Sequence, residues 1–216
     1  MAGWGEYAIA WAVFLLTHAV PIRPPVKPWL VARLGRAGFG LAYSALSVGV
    51  LVWLIAAAAR APHVELWPRA DWQNHITLAA MTLACLILTL ALGRPNPFSF
   101  GGNHNDRYAP DRPGIVGLVR HPVLAALGLW SLGHLAPNGD LAHGLLFGGF
   151  AGFAGLGMRT IDQRRQREMG AEAWRGLLPA RTLRGTGHPL RWLAAGLVLW
   201  GLIVLHPLVI GLDAVW

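Results

Sequence analysis

The stretch GLVRHPVLAALGLWSLGHLAPNGD, residues 117–140, combines a long apolar run with a histidine near each end. Most of it has the composition of a lipid-facing helix, but Arg120, His121 and His134 are polar. A polar side chain in hydrocarbon is costly, and such residues usually have a function. The stretch therefore predicts a membrane-embedded helix with functional histidines.

The composition of the whole chain agrees with a membrane location. Of its 216 residues, 55% are hydrophobic and 13% are charged, which is about half the charged share of soluble domains. The 11 tryptophans favour membrane interfaces. The net charge of +8 comes without a nucleic-acid-binding motif, so we expect a lipid bilayer and no nucleic acid as its partner.

Apolar stretches near the spanning length of roughly 20 residues occur six times in the sequence. They predict an all-α, polytopic integral membrane protein in which residues 1–216 form a single transmembrane domain. Several stretches are slightly short, so we expect helix tilt or local bilayer thinning. The predicted spans are Trp4–Val20, Phe39–Ala59, Ile76–Leu92, Gly117–Ala136, Leu141–Met158 and Trp192–Ile210.

Basic residues are concentrated in every second loop, which predicts the orientation of the chain. The loops after spans one, three and five are arginine-rich, whereas the other two links are balanced by acids or carry no base. The positive-inside rule places the rich loops in the cytoplasm and both termini on the outer side. The bases concerned are Arg23, Lys27, Arg33, Arg36, Arg94, Arg107, Arg112, Arg120, Arg159, Arg164, Arg165, Arg167, Arg175, Arg181, Arg184 and Arg191.

Three loops have distinct compositions. PIRPPVKPW, residues 21–29, predicts an extended tether because proline does not continue a helix. The long turn-rich segment at residues 93–114 fits either a binding loop or a plain linker. Between spans five and six, TIDQRRQREMGAEAWRGLLPAR (residues 160–181) predicts an amphipathic helix on the cytoplasmic face.

His121 and His134 cannot act on one metal ion from the same straight helix. They are 13 residues apart, which corresponds to about 20 Å along the helix axis. Arg120 and His121 precede Pro122, where free N–H groups at a helix start favour an anion, so they predict an anion-binding or polar anchoring site. The alternative is a simple interface role for His121.

The histidines of the spans suit haem better than zinc. Histidine pairs on different helices commonly hold haem b. No CxxCH motif is present, so haem would bind non-covalently. Zinc would need additional carboxylate, histidine or cysteine ligands nearby, and the spans carry almost no carboxylates. The histidines in or at the ends of the spans include His134, His18, His75 and His206, and each has a plain role at a helix terminus or at the interface as its alternative.

Several motifs resemble those of NnrU proteins over essentially the whole chain. They are LLTHAVPIRP, GFGLAYSALS, GIVGLVRHPVLAALGLWSLGHLA and a late HPL. The resemblance implies a bacterial inner-membrane protein associated with denitrification, that is, with nitrite and nitric oxide reduction. In that membrane the outer side, on which the charge pattern places both termini, is the periplasm.

The NnrU motifs are in turn similar to those of plant zeta-carotene isomerase, a haem b membrane enzyme. This similarity implies haem-dependent cis-trans isomerase-like activity on a hydrophobic small molecule, with His18 and His134 as the iron ligands. The isomerase's alternative cysteine ligand falls at Ser131, which cannot supply a thiolate. The predicted topology also separates His18 and His134 by about 20 Å across the membrane, whereas axial ligands lie about 4 Å apart. Either span one or span four is broken, or His75 or His206 replaces His18.

Two alternatives belong to other functional classes. One is a non-catalytic assembly factor whose partner is a respiratory reductase. The other rests on the RHP turn and the following charged helix, which resemble those of isoprenylcysteine carboxyl methyltransferase and of phospholipid methyltransferases. Only Asp162 stands where those enzymes have a pair of glutamates that helps to bind S-adenosylmethionine.

Overall fold

A computed structural model describes residues 2–210 of the protein. Its regular structure in that range is helical, apart from an isolated bridge between Glu65 and Asp140. The predicted all-α class is confirmed. The helices are α1 (Ala2–Ala19), α2 (Val26–Arg60), α3 (Trp72–Ala91), α4 (Pro122–Leu135), α5 (Leu141–Met169), α6 (Ala171–Gly176) and α7 (Leu190–Ile210).

Four of these helices, α2, α3, α5 and α7, are long and apolar enough to cross a membrane. Each of the six predicted spans coincides with a helix, but α4 has only 14 residues, fewer than the roughly 20 that a straight span needs. The count of six spans therefore stays a prediction. Residues 211–216, whose periplasmic location the sequence predicts, lie outside the described residues.

The fourth apolar stretch becomes helical later than predicted, at Pro122 instead of Gly117. Residues Gly114–Gly117 form a short 3-10 turn, and a side chain at Gly117 would lie 2.4 Å from the carbonyl oxygen of Thr182. This close backbone approach holds the segment in an irregular conformation. Pro122 then starts α4, where its missing N–H costs nothing.

The predicted amphipathic helix is not a separate element, because α5 continues through its first half to Met169. No helix breaker follows the apolar part of α5, and Arg164 and Arg165 both pair with Glu168 on its surface. The helix ends at Gly170, whose positive φ of 82° suits glycine. The short α6 follows.

The tether predicted at residues 21–29 is shorter than expected, because α2 begins at Val26. Pro28 is accommodated in the first helical turn, where N–H groups have no partner in the helix. Gly35 interrupts α2 with a φ of 71° and a ψ of 168°.

The chain forms two compact units. The first comprises residues 1–66 and 140–146, and α1 and α2 pack antiparallel within it. A side chain at Gly3 would lie 2.6 Å from the Arg60 carbonyl oxygen, so the helices approach closely there. Glu6 joins them through an ion pair with Arg60 at 2.5 Å and a hydrogen bond from Trp53.

The second unit comprises residues 67–139 and 147–216. It contains the predicted polar site at Arg120 and His121 and the predicted haem ligand His134. Within it α3 packs against α4 and α7. Gly133 permits the close approach of α4 to α3, since a Cβ there would lie 2.7 Å from that of Ala80. Thr77 donates a hydrogen bond across this contact to the Gly133 carbonyl at 2.8 Å.

The segment between α3 and α4 is an ordered part of the second unit. Arg191 donates to the carbonyls of Thr89 and Leu92 and so caps the C-terminus of α3. Asn96 is buried and donates to the Arg120 carbonyl at 3.0 Å. These contacts tie the long loop to the start of α4.

Candidate functional site

The turn before α4 is held by a carboxylate on α5. Arg120 Nη1 donates to Asp162 Oδ2 at 2.8 Å, and His121 Nε2 donates to Asp162 Oδ1 at 2.9 Å. The two oxygens of one side chain thus bind both polar residues of the turn. The anion that Arg120 and His121 contact is therefore the Asp162 carboxylate of the same chain.

His121 is only 5% exposed, so its protonation state is sensitive to its surroundings. It stands at the N-cap, outside the helix. Burial lowers its pKa, while the charge of Asp162 and the hydrogen bond to it act in the opposite direction. The net pKa shift is downward, which favours a neutral ring that donates from Nε2. The other nitrogen, Nδ1, is buried and has no hydrogen-bond partner among the residues that the structure describes.

Arg120 packs beside a pair of aromatic rings that contact each other. Its Cζ is 5.8 Å from the ring centroid of Phe98 and 5.4 Å from that of Trp174, within cation–π range. The two rings meet edge to face at 5.1 Å. The guanidinium is thereby fixed by two rings and one carboxylate. Its Nε is buried and has no hydrogen-bond partner within residues 2–210.

His134 lies near the C-terminal end of α4, in the second unit. Its Nδ1 donates to the Trp130 carbonyl at 2.8 Å. The aromatic rings of Trp130 and Phe147 lie 5.4 Å and 5.5 Å from the imidazole. Because Nδ1 carries the proton, Nε2 is left with a lone pair, and it makes no hydrogen bond within residues 2–210. This is the form in which histidine ligates a metal, with its other ring N–H held by a carbonyl.

His18 shows the same arrangement in the first unit. Its Nδ1 donates to the Phe14 carbonyl at 2.8 Å, and its ring stacks on that of Phe14 at 4.0 Å. Tyr43 packs edge-on at 6.0 Å. The helix α1 that carries His18 is continuous from Ala2 to Ala19, so the break considered for span one is absent.

The other two candidate ligands differ in their surroundings. His206 on α7 belongs to the second unit and lies close enough to His134 to interact with it electrostatically. His75 on α3 is exposed. Ser131, which stands at the position of the isomerase's cysteine, is fully buried and donates to the Leu127 carbonyl at 2.7 Å.

No cluster of three histidine, cysteine, aspartate or glutamate side chains suited to a metal ion occurs among the described residues. Each of His18 and His134, taken separately, has its Nδ1 proton held by a backbone carbonyl, so that Nε2 is the nitrogen through which it could ligate a haem iron.

The aromatic surroundings of Arg120 could not be identified from local sequence. Phe98 lies in the loop before α4 and Trp174 in α6, and each is brought to Arg120 only by folding. The dipeptide NP at residues 96–97 signals a turn but gives no sign that Asn96 holds the Arg120 backbone.

Together, the apolar helices and the buried polar turn define a polytopic helical membrane protein. A family model described as NnrU protein matches residues 7–214, and the chain belongs to the NnrU family. Neither the curated proteins nor the solved structures include a significant match to the sequence.

Proposed function

We propose that this NnrU-family protein is a haem b protein of the bacterial inner membrane that supports nitrite or nitric oxide reduction. His134 ligates the iron through Nε2 in this proposal. The observation that carries it is the hydrogen bond from His134 Nδ1 to the Trp130 carbonyl, which leaves the Nε2 lone pair free.

The surroundings of His134 support the same proposal. Its neighbours Trp130 and Phe147 offer flat apolar surfaces suited to a porphyrin. Asn138 donates to the backbone carbonyl of His134 at 2.7 Å and so fixes the end of the helix that carries the ligand. A bound haem would supply a redox-active iron for isomerase-like chemistry on a hydrophobic substrate.

The visible spectrum of the purified protein, expressed with a haem supply, tests this proposal. We expect a Soret band in the wild type that is lost in His134→Ala. His63→Ala is the control, because His63 is exposed in a loop. Haem content that persists in His134→Ala would contradict the role of His134.

Three further alanine variants identify the second iron ligand. The resemblance to the isomerase favours His18, whereas His206 and His75 were expected at the same depth as His134. Soret absorbance per protein in His18→Ala, His206→Ala and His75→Ala identifies the ligand as the residue whose loss abolishes or shifts the band.

The role in respiration is tested in the host bacterium. We expect cells that carry His134→Ala in place of the wild type to consume nitrite or nitric oxide more slowly at equal protein levels. If slow consumption coincides with loss of the reductase itself, the protein acts as an assembly factor.

One observation favours a methyltransferase-like activity as a second candidate. Asp162, the acidic residue that the resemblance associates with the RHP turn, does contact Arg120 and His121. Equilibrium dialysis with radiolabelled S-adenosylmethionine tests it. Binding that is lost in Asp162→Asn would support this activity, and absence of binding to the wild type would exclude it.

A further inference from the structure

A small cavity of about 80 Å³ lies beside the end of α3, within the second unit. Three of the residues that line it are arginines, Arg94, Arg107 and Arg112, and no lining residue is a carboxylate. Like charges around one cavity repel each other, so an anion inside it would relieve an unfavourable arrangement.

Arg107 and Arg112 are available to such an anion. Neither forms an ion pair within residues 2–210, although Asp106 and Asp111 precede them directly in the sequence. Both are exposed at the rim of the cavity. Arg94 is anchored more firmly, since its Nη2 donates to the Gly185 carbonyl.

Tyr108 is one of the residues that line the cavity, and it carries an uncharged donor. Its hydroxyl is buried and makes no hydrogen bond in the described part of the chain. Burial raises the pKa of Tyr108 to about 12, so the hydroxyl keeps its proton at neutral pH. An unpaired buried hydroxyl costs free energy, and a bound acceptor would recover it.

The C-terminus of α3 would ordinarily oppose an anion, because its last carbonyls carry partial negative charge. Here Arg191 donates to the carbonyls of Thr89 and Leu92 and neutralises that effect. Leu90 and Val116 form part of the apolar wall of the cavity, where a lower dielectric strengthens the attraction to the arginines.

The size of the cavity limits the anion. A single water molecule needs roughly 10–15 Å³ of the same kind of space, so the cavity holds a group of several heavy atoms. A phosphate group has this size, and arginine binds it through paired N–H donors. The cavity is lined by the end of α3 and by the loop before α4, which the charge pattern predicts on the cytoplasmic side, where basic residues attract anionic headgroups.

We propose that this cavity binds one phosphate group, carried either by an anionic phospholipid of the adjoining leaflet or by a free phosphate anion. The site is separate from the haem proposed at His134 and does not depend on it.

Two probes distinguish the sources, both applied to the full chain delipidated in neutral detergent. Native mass spectrometry measures retention of phosphatidylglycerol relative to phosphatidylcholine, and a thermal shift measures the effect of inorganic phosphate against chloride at equal ionic strength. Selective retention of one phosphatidylglycerol assigns the site to lipid. A phosphate-specific rise in melting temperature without lipid selectivity assigns it to the free anion.

The variants Arg112→Gln and Tyr108→Phe test the cavity itself, and Arg36→Gln is the control for net charge because Arg36 lies in the first unit. We expect about tenfold weaker binding in Arg112→Gln and a smaller, several-fold loss in Tyr108→Phe. Arg36→Gln should bind like the wild type. The proposal is overturned if the wild type binds neither probe, or if Arg36→Gln weakens binding as much as Arg112→Gln does.

Discussion

At the residue scale, Asp162 connects elements that are distant in the sequence. Its carboxylate binds Arg120 and His121, so the start of α4 is attached to the middle of α5 through two charge-assisted hydrogen bonds. Removal of Asp162 would leave a largely buried histidine and an arginine without their acceptor. The free energy of unfolding should therefore depend on this carboxylate more than on an exposed one.

Asp162→Ala should lower the free energy of unfolding by about 1–3 kcal/mol, a range that allows for partial exposure of the Arg120–Asp162 pair. The matched control is Asp106→Ala, which removes an exposed loop carboxylate. Denaturation in mixed micelles, followed by circular dichroism, measures both. Equal effects of the two substitutions would contradict the anchoring role.

The lowered pKa of His121 predicts a pH effect. Because the unfolded chain titrates at a pKa of about 6.5, it binds a proton before the folded chain does as the pH falls. Stability is thus full above that value and declines as the pH drops toward the folded-state pKa. The His121→Gln variant should lose less stability between pH 7.5 and acidic pH (chosen as about 5) than the wild type. Parallel pH profiles would contradict the prediction.

The RHP turn was recognisable from sequence because its residues are adjacent and precede a proline. Its surroundings were not. Asp162 lies beyond a further helix, and Phe98 and Trp174 reach Arg120 only in the folded chain. For His134 the sequence predicted a buried imidazole near a helix end, whereas its tautomer follows from a single hydrogen bond to Trp130 that only coordinates reveal.

At the element scale, small residues set the distance between α3 and α4. Apolar attraction between helices is weak in lipid, so packing depends on close fit. Gly133 lies against Ala80 and Thr77, and the buried Ser131 lies one half-turn earlier on α4. The position of His134 in the bundle therefore depends on the glycine beside it.

Gly133→Ala should destabilise the protein by about 1–3 kcal/mol, because the added methyl group would overlap with Ala80. Gly148→Ala on α5 is the matched control, since a side chain there would meet nothing within 4 Å. Thermal melting in detergent compares them. If the haem proposal is correct, Gly133→Ala should also reduce Soret absorbance while Gly148→Ala leaves it unchanged.

Helix positions followed from the apolar runs, but helix ends did not. The start of α4 at Pro122 depends on the approach of Gly117 to Thr182, which is a tertiary contact. The extension of α5 to Met169 reflects the absence of any breaker before Gly170, so charge alone did not end the helix. Hydrophobicity marks where a helix enters lipid, and the backbone can remain helical beyond that point.

At the scale of the whole molecule, the exposed surface is that of a protein in hydrocarbon. Leu208 on α7 is 81% exposed and Leu41 on α2 is 75% exposed, in helices that are long enough to span a bilayer. Exposure of such apolar surfaces to water costs free energy, whereas their contact with lipid tails does not. The part of α2 between Arg36 and Arg60 and the part of α5 before Arg159 contain no Asp, Glu, Lys or Arg.

The orientation of the chain follows from those charges. The segments from Arg23 to Arg36, from Arg94 to Arg120 and from Arg159 to Arg191 hold most of the arginines, whereas Arg60, which the charge pattern predicts on the opposite side, is paired with Glu6. The positive-inside rule therefore predicts that both termini lie in the periplasm. Alkaline phosphatase fused to the C-terminus should be active and green fluorescent protein fused there should be dark. The same reporters fused after Arg167 should give the opposite pattern, because that site follows the predicted cytoplasmic end of the fifth span, Leu141–Met158. A fluorescent C-terminal fusion with an inactive phosphatase fusion would reverse the orientation, and would place the cavity at Arg112 on the periplasmic leaflet instead.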